Sequence, residues 1–66
     1  MDYFNLLIKT VKEVEPYAIK MTASEYETHK QEAFKNAADT GCLSIYNFMV
    51  EVFELLDNKR KEAAAE

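Results

Sequence analysis

His29, with Glu25 four residues before it and Glu32 three residues after, is the one place in the chain where side-chain types and spacing could hold a metal ion. On a helix those offsets put all three on one face. The donor set is poor, because a closed zinc site draws four ligands mainly from Cys and His and the sequence holds one of each. An exposed histidine among glutamates is therefore expected, with no metal and no cofactor. Cys42 is the second candidate: a thiol at a helix start has a lowered pKa and is a potential nucleophile or inter-chain cross-link. Catalysis would need a base beside it, and the single histidine belongs to another predicted helix. A buried small apolar side chain is the commoner fate of a free cysteine.

Charged clusters offer two further possibilities. Glu51, Glu54 and Asp57 form an acidic edge that could face a basic partner, with Glu62 beyond; the plainer reading is a solvated stripe. Lys59, Arg60 and Lys61 form the only basic run. Three cations are a small footprint for a nucleic acid backbone, and near a helix C-terminus they also offset the helix dipole. Gly41 is the single glycine, which leaves no Gly-rich phosphate loop, and no Ser-His-Asp order is present. Enzymatic chemistry is not expected.

These side chains depend for their placement on Leu43 to Leu56, LSIYNFMVEVFELL, of which ten in fourteen residues are apolar. Ser44, Asn47, Glu51, Glu54 and Asn58 recur at three and four residues, so they share one side of a helix. The rest of its circumference is apolar, wider than the stripe of about 100° that one packing face needs. Such a helix requires neighbours on two sides. Sixty-six residues bury only about 60% of the surface of the unfolded chain, so a domain this small usually adds disulfides, a metal or a partner subunit. One cysteine excludes internal disulfides and the ligand count argues against a metal, which leaves self-association.

The remaining elements follow from periodicity and breakers. Phe4, Leu7, Val11 and Val14 mark a first helix, capped by Asp2 and ended at Glu15 because Pro16 lacks an amide hydrogen and its ring clashes with the preceding turn. Residues 16–21 are expected to be a linker or a single turn. Thr22 and Glu25 have the spacing of a capping box for a second helix that runs to Asp39, where Gly41 turns the chain. The third helix spans Cys42 to Glu62, followed by a frayed tail, 63–66. The expected fold is all-α, three helices at 2–15, 22–39 and 42–62. The first two pack on one side of the third, and a symmetric homodimer forms through its other side. Tyr46, Phe48, Met49, Val50, Val52, Phe53, Leu55 and Leu56 are the expected core and interface side chains, with Phe48, Val50 and Leu55 beyond the needs of one core.

A net charge of −4 repels nucleic acid unless cations are gathered on one face. The lone cysteine and the start Met1-Asp2 are expected of a cytoplasmic chain, and fourteen residues with two glutamates are too few to cross a membrane, which takes about 20. Together these features point to a non-enzymatic interaction module, a small regulator or inhibitor that binds a larger protein. Its size and acidity suit the bacterial or phage accessory type. A dimeric nucleic-acid-associated regulator using Lys59, Arg60 and Lys61 is the alternative.

Overall fold

A computed structural model describes residues 2–65 and contains three helices, α1 at Tyr3–Lys20, α2 at Ala23–Asp39 and α3 at Leu43–Ala65. The starts of α1 and α2 are each secured by a side chain, as the orphan amides of a helix N-terminus require. The Asp2 carboxylate accepts from the Phe4 amide at 3.2 Å. At α2 the capping box is complete: the Glu25 amide donates to Thr22 Oγ1 at 3.1 Å and the Thr22 amide donates to Glu25 Oε1 at 3.0 Å. The Thr22 backbone amide first, and then the Thr22 side chain, hold the Glu25 carboxyl below its usual range. At the other end of α2, Gly41 takes φ 69°, a left-handed conformation that costs a residue with a Cβ roughly 1–2 kcal/mol. Thr40 tightens that turn, its hydroxyl donating to the Ala37 carbonyl at 2.6 Å and accepting from the Cys42 amide at 3.1 Å.

Pro16 does not end α1. The helix continues through it for another turn to Lys20, so the linker expected at 16–21 is helical except at its last residue. Proline inside a helix removes the hydrogen bond to the carbonyl four residues earlier and crowds that carbonyl. Here the damage falls on the wet side. Pro16 is exposed and lies opposite the buried row Leu7, Val11 and Ala18, so the carbonyl it deprives, that of Lys12, is left on the solvent flank. Packing of Ala18 on the dry side, together with an Arg60 side chain that bonds the Ala18 and Met21 carbonyls, then carries the helix past the breaker. Replacing Pro16 with alanine is expected to stabilise the fold by about 2 kcal/mol, read as a rise in the chemical-denaturation midpoint. The tail differs as well: α3 extends to Ala65, so the alanines expected to fray are helical, while Glu66 lies outside the described residues.

α3 is the central element. Both α1 and α2 pack on it and scarcely on each other, so its wide apolar arc is met on two sides by its own chain, where both neighbours were expected on one side. Leu7, Val11 and Ala18 of α1, Tyr26 of α2, and Val52, Phe53 and Leu56 of α3 form the core. Aromatic edges lock the second contact, with Phe34 against Phe53 at 5.4 Å and Tyr26 against Phe53 at 5.9 Å between ring centroids. Such pairs add about 0.5–1.5 kcal/mol each beyond the area they bury.

Because α1 and α2 flank α3 without closing on each other, the molecule is a slab of 37 × 26 × 14 Å. Its radius of gyration, 12.2 Å, exceeds the roughly 10.8 Å of a globular chain this long. Its accessible surface, 4893 Å², is about 600 Å² larger than that of a folded monomer of the same mass. Among the described residues no helix is long and apolar enough to cross a membrane.

Candidate functional site

Two apolar openings follow from the slab arrangement, one on each side of α1. The first lies between α1 and the outer side of α3. Phe4, Leu7 and Ile8, one helical face at three and four residues, meet Leu55 of α3, and Tyr3, Glu51 and Glu54 complete a cleft of about 340 Å³. Phe4 is 62% exposed at its lip. Tyr3 fixes the geometry: its hydroxyl donates to Glu51 Oε2 at 2.6 Å, and its ring meets Phe48 edge-on at 5.8 Å. That hydrogen bond, followed by burial and the Glu51 charge, raises the Tyr3 phenol above its ordinary pKa.

The second opening lies between α1 and α2 over α3. Val14, Ala18 and Met21 form one wall, Tyr26, His29 and Ala33 the other, and Phe53 and Leu56 the floor, enclosing about 220 Å³. No carboxylate lines it. A third hollow, about 300 Å³, sits at the α2–α3 turn among Ala37, Ala38, Gly41, Cys42, Leu43 and Tyr46.

The acidic edge is divided by the fold. Glu51 and Glu54 line the first cleft, whereas Asp57 turns inward to α2, accepting from the Tyr26 hydroxyl at 2.5 Å and from Lys30 at 3.0 Å. Asp57 is thus held by two side chains of α2. Burial pushes its carboxyl up, but the hydrogen bonds from Tyr26 and Lys30 and the charges of Lys30 and Lys61 outweigh that and hold it below its usual range. Burial first, and then the bond to Asp57, push the Tyr26 phenol well above its ordinary value.

The sign of the pH effect follows from linkage. A carboxyl lowered by folding contributes stability above the unfolded value of 3.8 and loses it as pH falls through the folded pKa. A phenol raised by folding contributes below 10.0 and loses it as pH rises. Thermal stability is therefore expected to form a plateau near neutrality that falls at both ends. Tyr26→Phe is expected to lower the plateau by about 1.5 kcal/mol and to flatten both limbs, as measured by melting temperature against pH.

The basic run is also dismantled. Arg60 points into the fold, its guanidinium donating to the carbonyls of Ala18 and, at 3.0 Å, Met21, and stacking on the Tyr26 ring at 4.3 Å. Lys59 lies 3.9 Å from Glu15 and 4.0 Å from Glu62. Lys59 and Lys61 are exposed and Arg60 between them is not, so Lys59, Arg60 and Lys61 do not form one cationic face.

Other expected residues fall as follows. Val52, Phe53 and Leu56 are buried within the chain itself and are core rather than partner surface. Tyr46, Phe48, Met49, Val50 and Leu55 are half-buried, with Tyr46 against Phe34 and Phe48 against Tyr3. Cys42 is exposed, contrary to the buried position expected for it, because it precedes α3 at the turn. Among the described residues no group of three His, Cys, Asp or Glu is placed to hold a metal.

The apolar exposure missed in the sequence is mostly on α1, where Tyr17 is 69% exposed and Leu6 and Ile19 are also in solvent, together with Leu43 at 72% and Ile45 at the start of α3. Their signal was present: Leu6, Ile8, Tyr17 and Ile19 are apolar yet fall outside the row Phe4, Leu7, Val11, Val14. No protein-family model, curated protein or solved structure matches the chain significantly.

Proposed function

We propose that the protein is a non-enzymatic interaction module, a small regulator or inhibitor of a larger protein that also self-associates as a symmetric dimer. The observation that carries this reading is large apolar side chains left in solvent, of which Tyr3, Phe4 and Val14 line two preformed openings. Exposed patches of that kind mark interaction surfaces, and preformed ones lower the ordering cost of binding. The surface about 600 Å² above the monomer scaling approaches the roughly 800 Å² that each partner of a standard interface loses.

Self-association is assigned to the α1–α2 groove, whose lining carries no carboxylate. A two-fold contact there sets apolar walls against each other without opposing like charges. Light scattering across a dilution series tests it. Wild type is expected at twice the chain mass, and Val14→Glu, which adds a charge at the groove wall, is expected at the chain mass with unchanged helix content. A wild type that stays monomeric at every concentration removes self-association from the proposal.

A further inference from the structure

We infer that the α1–α3 cleft is the docking site for a basic amphipathic helix of another protein. The assignment deepens the interaction-module reading and rests on it. Leu7, Ile8 and Leu55 supply an apolar floor with Phe4 at its lip, and Glu51 and Glu54 stand on α3 at its edge. Apolar anchors at helical spacing entering a groove are the general mode of helix recognition. Carboxylates three residues apart match cations one turn apart on a facing helix.

What separates those two carboxylates from the others is their place: of the three openings described above, only this cleft is lined by carboxylates. Glu15, Asp57 and Glu62 each lie beside a lysine of their own chain, whereas among the described residues neither Glu51 nor Glu54 has a cationic partner, and no lysine or arginine lines the cleft. Glu51 is held in place by the Tyr3 hydroxyl, 2.6 Å away, so its charge is oriented before any partner arrives. A second copy of the chain does not suit the site. A two-fold contact would bring both copies of Glu51 and Glu54 together, in a chain whose net charge is already −4, and like charges across an interface are costly. A partner with cations flanking an apolar stripe satisfies floor and edge together.

The test titrates the full chain, at low and high salt, with a labelled helical peptide of leucine and lysine at amphipathic spacing, and with a leucine–glutamate peptide of equal length. The lysine peptide is expected to bind and the glutamate peptide not. Glu51→Lys combined with Glu54→Lys is expected to weaken the lysine peptide at least about tenfold and to admit the glutamate peptide. Glu27→Lys combined with Asp39→Lys, on exposed positions of α2, changes net charge equally and is expected to weaken binding far less. Equal weakening by the two double variants, or no preference between the peptides, overturns the assignment. Light scattering on the same samples separates the levels: a dimer without peptide binding sinks the cleft alone, and a monomer without peptide binding sinks the interaction-module reading as well.

Discussion

Replacing Arg60 with methionine is expected to lower stability by about 3 kcal/mol and to release the last turn of α1 before the rest of the fold. The guanidinium closes two carbonyls, those of Ala18 and Met21, at a helix end where carbonyls lack intrahelical donors. It also covers the Tyr26 ring at 4.3 Å. Hydrogen bonds to a charged group contribute about 1.5–3 kcal/mol each and a cation over an aromatic face about 0.5–2. The three contacts share one group, so they do not add in full.

Methionine keeps the apolar stem and removes the donors, which isolates the polar part of the effect. Lysine is not expected to restore it, because one ammonium lacks the planar fork that reaches two carbonyls while lying on a ring. For a domain this size the loss corresponds to a fall of roughly 12–24 °C in melting temperature. Hydrogen exchange should show the amides of 17–21 opening well before that of Val11. A loss under about 1 kcal/mol would mean that packing of Ala18 alone carries α1 past Pro16.

Leu56→Ala and Leu55→Ala should differ sharply although the residues are adjacent. Leu56 is 1% exposed in the core, and truncating such a leucine costs about 2–5 kcal/mol through lost transfer energy and the cavity left behind. Against a total of roughly 3–10 kcal/mol for a chain of this length, that change brings the protein close to unfolding at ambient temperature. Leu55 is half-buried at the cleft, so its truncation is expected to cost under about 1 kcal/mol while weakening the leucine–lysine peptide. Denaturant melts and peptide titrations on both variants read the two effects separately. Equal destabilisation would place Leu55 in the core and remove the cleft floor.

Local signals in the sequence were read well where they act within a few residues. The Thr22–Glu25 capping box, the Gly41 turn and the three-and-four rhythm of α3 each involve neighbours along the chain, and each forms as its residue types require. Pro16 departs from its local signal because its penalty is local but its compensation is not. The buried position of Ala18 and the guanidinium of Arg60, 42 residues away from Ala18, lie outside any short window. The same limit applies to Asp57, which is indistinguishable from Glu51 and Glu54 by spacing but faces α2 once α3 is packed. It also divides the basic run, since Lys59, Arg60 and Lys61 sit about 100° apart around the helix and so meet different neighbours.

By itself the sequence determined that the chain is helical, that its last helix carries the widest apolar arc, and that this helix needs cover on two sides. Those properties depend on periodicity and composition. Only the tertiary structure decided that α1 and α2 supply that cover without closing on each other. Which carboxylates are tied inward and which stand beside an apolar cleft was settled there too. The reason is that the wheel of a helix states how wide its apolar arc is, whereas the angle at which its neighbours sit depends on side-chain packing between segments far apart in the chain, here Leu7, Val11 and Ala18 against Val52 and Leu56, and Tyr26 and Phe34 against Phe53.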